Sequence, residues 1–257
     1  MAASLVRRTA PWVLLLSVLV EWISVAIPQQ TPAPDLRQPV LVELFTSEGC
    51  SDCPPADTLL ARLDATQFVA GARAIVLSEH VTYWNHLGWR DPFSMDEVTV
   101  RQEWYVEHFR LSSSYTPQMV VDGATQFVGS DFRALSLAVA EAASTPKKAL
   151  AIEGVRWEPS SVQFSARGSE DRGVRVVAAL AADATHAEVS RGENAGRTLH
   201  HVAVVRAIKE FDGGALDGRA LHISIPVDMQ GPIRLVVLLS DRKTGHVLAV
   251  AEETLRR

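Results

Sequence analysis

The chain has 257 residues, of which 47% are hydrophobic and 21% are charged, with 25 Lys and Arg against 30 Asp and Glu. This length suits one large domain or two modest ones, and the composition excludes a disordered chain and a polytopic membrane protein. The net charge of −5 gives no basic footprint, so we expect no nucleic-acid partner. Two cysteines, Cys50 and Cys53, are too few for a four-cysteine zinc site or a disulfide scaffold.

The N-terminal residues have the pattern of a secretory signal peptide. Two arginines precede an apolar run over residues 11–20, and small residues follow at 24–26. A positive start, an apolar stretch and a small-x-small exit are the three parts of such a signal. We therefore predict a signal peptide at 1–26, an extended linker at 27–39 and a periplasmic or secreted protein with no membrane span after cleavage. An uncleaved N-terminal anchor is the alternative.

Residues 40–146 alternate between the hydrophobic patterns of strands and helices. Short β-branched apolar runs predict buried strands, and apolar residues at i, i+3, i+4 and i+7 predict helices. Asp122-Gly123 predicts a hairpin turn, because both residues tolerate a positive φ. The resulting order is βαβαββα with a mixed sheet. The predicted strands lie at 40–45, 73–77, 118–121 and 125–128, and the helices at about 54–63, 94–110 and 135–142.

Residues 147–257 have a different character. Their apolar segments are short, rich in β-branched residues and separated by Pro, Gly and Asp-Gly turn signals. About seven strands at this spacing predict an all-β antiparallel sandwich. The segments lie near 149–157, 161–167, 174–182, 200–208, 220–226, 233–240 and 246–253.

The strongest chemical feature is the segment 46–55, TSEGCSDCPP, between the first predicted strand and the first predicted helix. A helix N-terminus stabilises a thiolate at Cys50, and Cys53 can then attack a mixed disulfide from the same turn. This spacing favours thiol–disulfide exchange. A non-catalytic binding protein with a fixed, structural disulfide is one alternative. A copper metallochaperone using the cysteines and a loop histidine is another, because soft thiolates favour Cu(I). The candidate histidines are His80, His86 and His108.

Four segments also carry a resemblance to known proteins. They are 44–57 (LFTSEGCSDCPPAD), 80–94 (HVTYWNHLGWRDPFS), 115–123 (YTPQMVVDG) and 191–199 (RGENAGRTL). Together they resemble the bacterial secreted domain-of-unknown-function 1223 family, which is assigned to the thioredoxin-like superfamily and whose activity is not established. The resemblance implies an α/β thioredoxin-like domain at 40–146, ahead of the all-β antiparallel sandwich-like domain that the strand pattern predicts at 147–257.

The resemblance also implies roles for individual residues. Cys50 aligns with the nucleophile and Cys53 with the resolving thiol of the superfamily. Pro117 aligns with its cis-proline, which would present the Thr116 backbone to an extended substrate and keep metals away from the thiols.

Glu43 is a further candidate on the same grounds. It lies in a strand that we expect to be covered on both faces, where an unpaired carboxylate is costly. Thioredoxin-like proteins often keep a buried acid behind the cysteines to relay a proton, which is the role that the resemblance implies for Glu43. The alternative is that Glu43 faces an edge or pairs with an arginine.

The segment 79–94 is long for a connection, and long ordered loops are often functional. It follows a parallel strand, so we expect it at the same edge of the sheet as Cys50. His80, Trp84 and Trp89 are therefore candidates for substrate binding. A structural hydrogen-bonding role is the alternative for each histidine.

These observations predict an exported thiol–disulfide oxidoreductase that acts on envelope proteins or small thiols and disulfides and needs no cofactor. Glu48 and Asp52 lie close to Cys50 in sequence, and their carboxylates oppose a thiolate. We therefore expect their charges to raise the pKa of Cys50 and to make the disulfide comparatively hard to reduce.

Overall fold

The computed structural model describes residue 1 and residues 35–169 and 173–256. The predicted signal peptide at 1–26 and most of the predicted linker at 27–39 lie outside the described residues. In the described part, no helix has the length and apolar character that crossing a membrane requires.

Strands dominate the described part of the chain, which is compact from Leu36 onward. The elements are β1 (Gln38–Thr46), α1 (Pro54–Thr66), β2 (Ala72–His80), α2 (Asp96–His108), β3 (Gln118–Val121), β4 (Thr125–Val128), α3 (Phe132–Ala143), β5 (Leu150–Trp157), β6 (Ser161–Gly168), β7 (Val174–Val189), β8 (Arg197–Asp212), a 3-10 helix (Gly213–Leu216), β9 (Leu221–Ser224), β10 (Ile233–Asp241) and β11 (Val247–Leu255).

Eight of these strands form one mixed sheet in the order β11-β10-β7-β8-β2-β1-β3-β4, and β5-β6-β9 form a second sheet. β1 pairs in parallel with β2, and β2 pairs in parallel with β8 through Ser78 and Val204. The other ladders of the large sheet are antiparallel. Strands from both sides of residue 146 therefore share a single sheet.

The predicted fold class is wrong for this reason. The predicted strands and helices occur near their expected positions, but they do not form a small thioredoxin-like domain followed by a sandwich. β8 lies along β2, and β7, β10 and β11 extend the sheet beyond it. An open edge on β2 would leave backbone N–H and C=O groups unpaired, and β8 covers part of that edge. Hydrophobic periodicity identifies strands, but it does not determine which edges pair.

The apolar residues of β7 connect two cores. Val177, Ala179 and Ala181 pack into the core around β1, β2 and the helices. Val176 and Leu180, on the other face, pack into the core beneath the second sheet. Burial on both faces explains why the first half of β7 is an almost continuous apolar run.

The outer part of the β7–β8 hairpin reaches the loops that follow β1 and β2. β7 and β8 have 16 residues each, and their pairing continues to Val189 and Arg197. Ala203 in β8 has a left-handed φ of 47° near a register shift in this ladder. The connecting turn of the hairpin lies against Trp89. A Cβ added to Gly192 in this turn would be only 3.2 Å from the Trp89 Cβ.

Candidate functional site

Cys50 and Cys53 form a disulfide at the start of α1. Cys53 is the residue before the first helical turn, and Pro54 and Pro55 begin the helix, where missing N–H groups leave no bond unmade. Cys50 is 2% exposed and Cys53 is fully buried, whereas Ser51 and Asp52 between them are exposed. The disulfide is therefore covered, and the loop that carries it faces solvent.

The Thr116–Pro117 segment lies beside this loop. Its peptide bond is cis. The indole Nε1 of Trp84 donates a 2.8 Å hydrogen bond to Thr116 Oγ1. The same tryptophan packs on Gly49, where a Cβ would lie 3.0 Å from the Trp84 Cβ. Trp84 thus joins the residue before Cys50 to the residue before Pro117.

Two buried carboxylates flank the disulfide in sequence, and one imidazole lies between them in space. Glu48 is fully buried two residues before Cys50, and Asp57 is buried four residues after Cys53, where it accepts a 2.9 Å bond from Thr46. His201 of β8 lies between these acids, with Nε2 3.3 Å from Glu48 Oε1 and Nδ1 3.8 Å from Asp57 Oδ2. These separations are those of ion pairs rather than hydrogen bonds.

A second imidazole–carboxylate pair supports the first. His80 Nδ1 lies 2.7 Å from Asp91 Oδ2, both side chains are fully buried, and Asp91 also accepts a bond from the Glu48 backbone N–H. Burial opposes the charged form of Asp91, but His80 holds the pKa of that carboxyl below its usual value. The rings of His80 and His201 meet edge to face, with centroids 4.6 Å apart. The predicted His80 is thus part of a buried network.

The tip of the β7–β8 hairpin covers the cysteine loop. Asn194 is 1% exposed, and its Nδ2 donates to the carbonyl oxygens of Glu48 and Cys50, each at 2.9 Å. The exposed Glu193 accepts a 3.2 Å bond from the Ser51 backbone N–H. Trp89 donates its indole N–H to Glu48 Oε2 at 2.8 Å. The second half of the chain therefore completes the surroundings of the disulfide.

Glu43 lies elsewhere. It accepts hydrogen bonds from Arg101 Nε and from the Tyr105 hydroxyl of α2, each at 2.6 Å. Because side chains alternate along a strand, Glu43 lies on the face of β1 opposite Thr46, and Thr46 faces α1. The contacts of Glu43 are those of the alternative interpretation, a carboxylate paired with an arginine. Burial, together with the negative charge of the neighbouring Glu43, raises the pKa of Glu79 well above its usual value. Arg101 forms ion pairs with both of these buried acids.

The structure brings together most of the predicted site residues and adds three. Cys50, Cys53, Thr116, Pro117, Trp84, Trp89 and His80 lie around one loop cluster, whereas Glu43 does not. Asp57, Asn194 and His201 were missed. Two of these had a signal: Asp57 is a polar residue among the apolar residues of α1, and the doublet His200-His201 in a strand must place one imidazole on each face.

The metal alternative gains no support from the described residues. His86 is exposed and its Nδ1 contacts the Tyr83 carbonyl, and His108 stacks on Trp104. Within residues 35–169 and 173–256, no group of three or more His, Cys, Asp or Glu side chains is placed to hold a metal ion.

The fold and the site define a mixed-sheet protein with a buried Cys-x-x-Cys disulfide at the start of a helix. The chain belongs to the family described as protein of unknown function DUF1223, whose sequence profile matches residues 41–240. Among solved structures, it is similar to the X-ray structure of the Agrobacterium tumefaciens protein AGR_C_4864, a structural-genomics target. The likeness covers 87% of this chain and 96% of that one, at 22% identity and a TM-score of 0.60, and shows the fold alone. No curated protein matches the chain.

Proposed function

We propose that this protein is a thiol–disulfide oxidoreductase that works through Cys50 and Cys53. The observation that carries the proposal is the disulfide at the first turn of α1, beside the Thr116–Pro117 segment. The backbone N–H groups of that turn and the helix dipole favour negative charge at Cys50 in the reduced protein. Thr116 is partly exposed, and we expect its backbone to pair with an extended partner.

The exchange has two steps. In the reduced protein, the Cys50 thiolate attacks one sulfur of a substrate disulfide, forms a mixed disulfide and releases the other substrate sulfur, which takes up a proton. The Cys53 thiolate then attacks Cys50 Sγ and releases the second substrate thiol, which leaves the Cys50–Cys53 disulfide. Two electrons pass to the substrate, and a dithiol reductant restores the thiols by the reverse exchange.

The substrates that we propose are disulfides of exported proteins. The signal-peptide pattern at 1–26 supports an extracytoplasmic location, where protein disulfides persist. The sulfurs are buried, so a substrate must present its disulfide on an extended segment that reaches between the cysteine loop and Thr116. A large rigid surface would not make this approach.

The test is a disulfide-reduction assay on a peptide substrate with a dithiol as electron donor, comparing the wild type with Cys50→Ser and Cys53→Ser. We expect the wild type to be active, Cys50→Ser to be inactive, and Cys53→Ser to accumulate a mixed disulfide that is visible by mass. Ser51→Ala, an exposed change between the cysteines, is the control and should retain activity. Equal rates for the wild type and Cys50→Ser would exclude this function, as would a disulfide that a dithiol never reduces in the folded protein.

A further inference from the structure

His201 lies between two buried carboxylates beside the cysteines, and the exchange chemistry alone does not explain this arrangement. Two carboxylates, Glu48 and Asp57, are buried on either side of Cys50 and Cys53 in sequence. Each negative charge opposes a thiolate nearby, and burial makes an uncompensated carboxylate costly. A strand from the second half of the chain places one imidazole, 2% exposed, between them.

The groups that face His201 come from four parts of the chain. Glu48 follows β1, Asp57 is in the first turn of α1, and His80 ends β2 and contacts His201 edge to face. Asp91, from the loop after β2, binds the far side of His80. Burial opposes the charged imidazolium, but Asp57 and Glu48 together raise the pKa of His201 to about 9.

We infer that His201 is a positioning residue for the cysteine pair: its imidazolium balances the charges of Glu48 and Asp57 and so permits a thiolate at Cys50. This inference rests on the proposed function, because it concerns the reactive form of the same thiols. It gives the second half of the chain a part in setting the reactivity of the thiols. It also modifies the expectation that Glu48 makes the disulfide hard to reduce, because the charge of Glu48 is offset.

The protonation of His201 can be tested without any variant. Nitrogen-detected NMR of the oxidised wild-type protein should show a protonated His201 ring from pH 6 to pH 8. A His201 ring that loses its proton near pH 6.5 would overturn the inference.

The consequence for the thiols is tested by the pH profile of Cys50 alkylation in the reduced protein. His201→Gln should lower the thiolate fraction at pH 7 about tenfold, because a neighbouring positive charge is lost. His200→Gln, one residue away on the exposed face of the same strand, should leave the profile unchanged.

A double variant separates charge from packing. Glu48→Gln combined with His201→Gln removes one negative and one positive charge. Glu48→Gln keeps the shape of its side chain, and His201→Gln is common to both variants, so the alkylation profile should return toward that of the wild type if charge is decisive. A double variant that is more impaired than His201→Gln alone would overturn the inference. Alkylation needs no substrate, so a normal thiol profile without reductase activity would contradict the proposed function and leave the role of His201 intact.

Discussion

Buried charged residues in this protein separate into two groups with different roles. Glu48 and Asp57 lie beside the cysteines and share His201. Glu43 and Glu79 lie under α2 and share Arg101. The sequence indicates that Glu43 is buried, but its partner comes from a helix 58 residues away and has no local signal. A residue's burial was thus predictable, whereas its partner was not.

Arg101→Met tests whether this second group is structural. The variant leaves Glu43 buried without a cation, and breaking one side of such a pair costs about 3–5 kcal/mol. We expect the free energy of unfolding, measured by denaturant titration, to fall by that amount, with no change in Cys50 alkylation. Arg133→Met, at an exposed position of α3, is the control. A change in the rate of Cys50 alkylation would instead support the proton-relay role for Glu43.

At the scale of elements, periodicity predicted where strands occur better than how long they are. The apolar run of β7 predicted a strand at 174–182, but the strand continues to Val189. Its outer residues, 183–189, mix Ala, Thr and Val with Asp, His and Glu, because exposed residues alternate with partly buried ones and only Val189 is buried. Because this pattern is weak, the sequence did not predict that the β7–β8 hairpin is long enough to place Asn194 at the cysteine loop.

Asn194→Ala tests whether the hairpin tip controls access to the disulfide. The side-chain amide holds two carbonyl oxygens, and losing these bonds favours local opening. We expect reduction by dithiothreitol, followed by thiol release, to become about tenfold faster, since 1.4 kcal/mol corresponds to a factor of ten. Thr198→Ala removes an exposed bond to Glu188 on the same hairpin and should have no effect. Unchanged kinetics in Asn194→Ala would show that the tip does not limit access.

For the whole molecule, the sequence predicted the elements but not their arrangement. Strand β8 contributes both a partner for β2 and the imidazole at the cysteine site, so the two halves are joined by pairing and by charge. Long-range pairing depends on edges and on chain reach, which no local window of sequence contains. The fold class was therefore mistaken even though its strands and helices were not.

The stability of the whole chain should depend on pH through His201. Its pKa is raised on folding to about 9, so its contribution is complete below about pH 6.5 and disappears as the pH rises through 9. We expect the wild type to lose up to about 3 kcal/mol of unfolding free energy over that range relative to His201→Gln. Denaturant titrations at pH 6, 7.5 and 9.5 measure this difference. Parallel pH profiles for the two proteins would contradict it.

The bonds from Asn194 to Cys50 have a consequence for the order of events during synthesis. The two residues are separated by 144 positions, so the cysteine loop leaves the ribosome long before its cover exists. At ordinary elongation rates the delay is roughly 7–30 s. Throughout that interval the cysteines lack the hairpin tip, and oxidants or foreign thiols have their freest access to them while the chain is still growing.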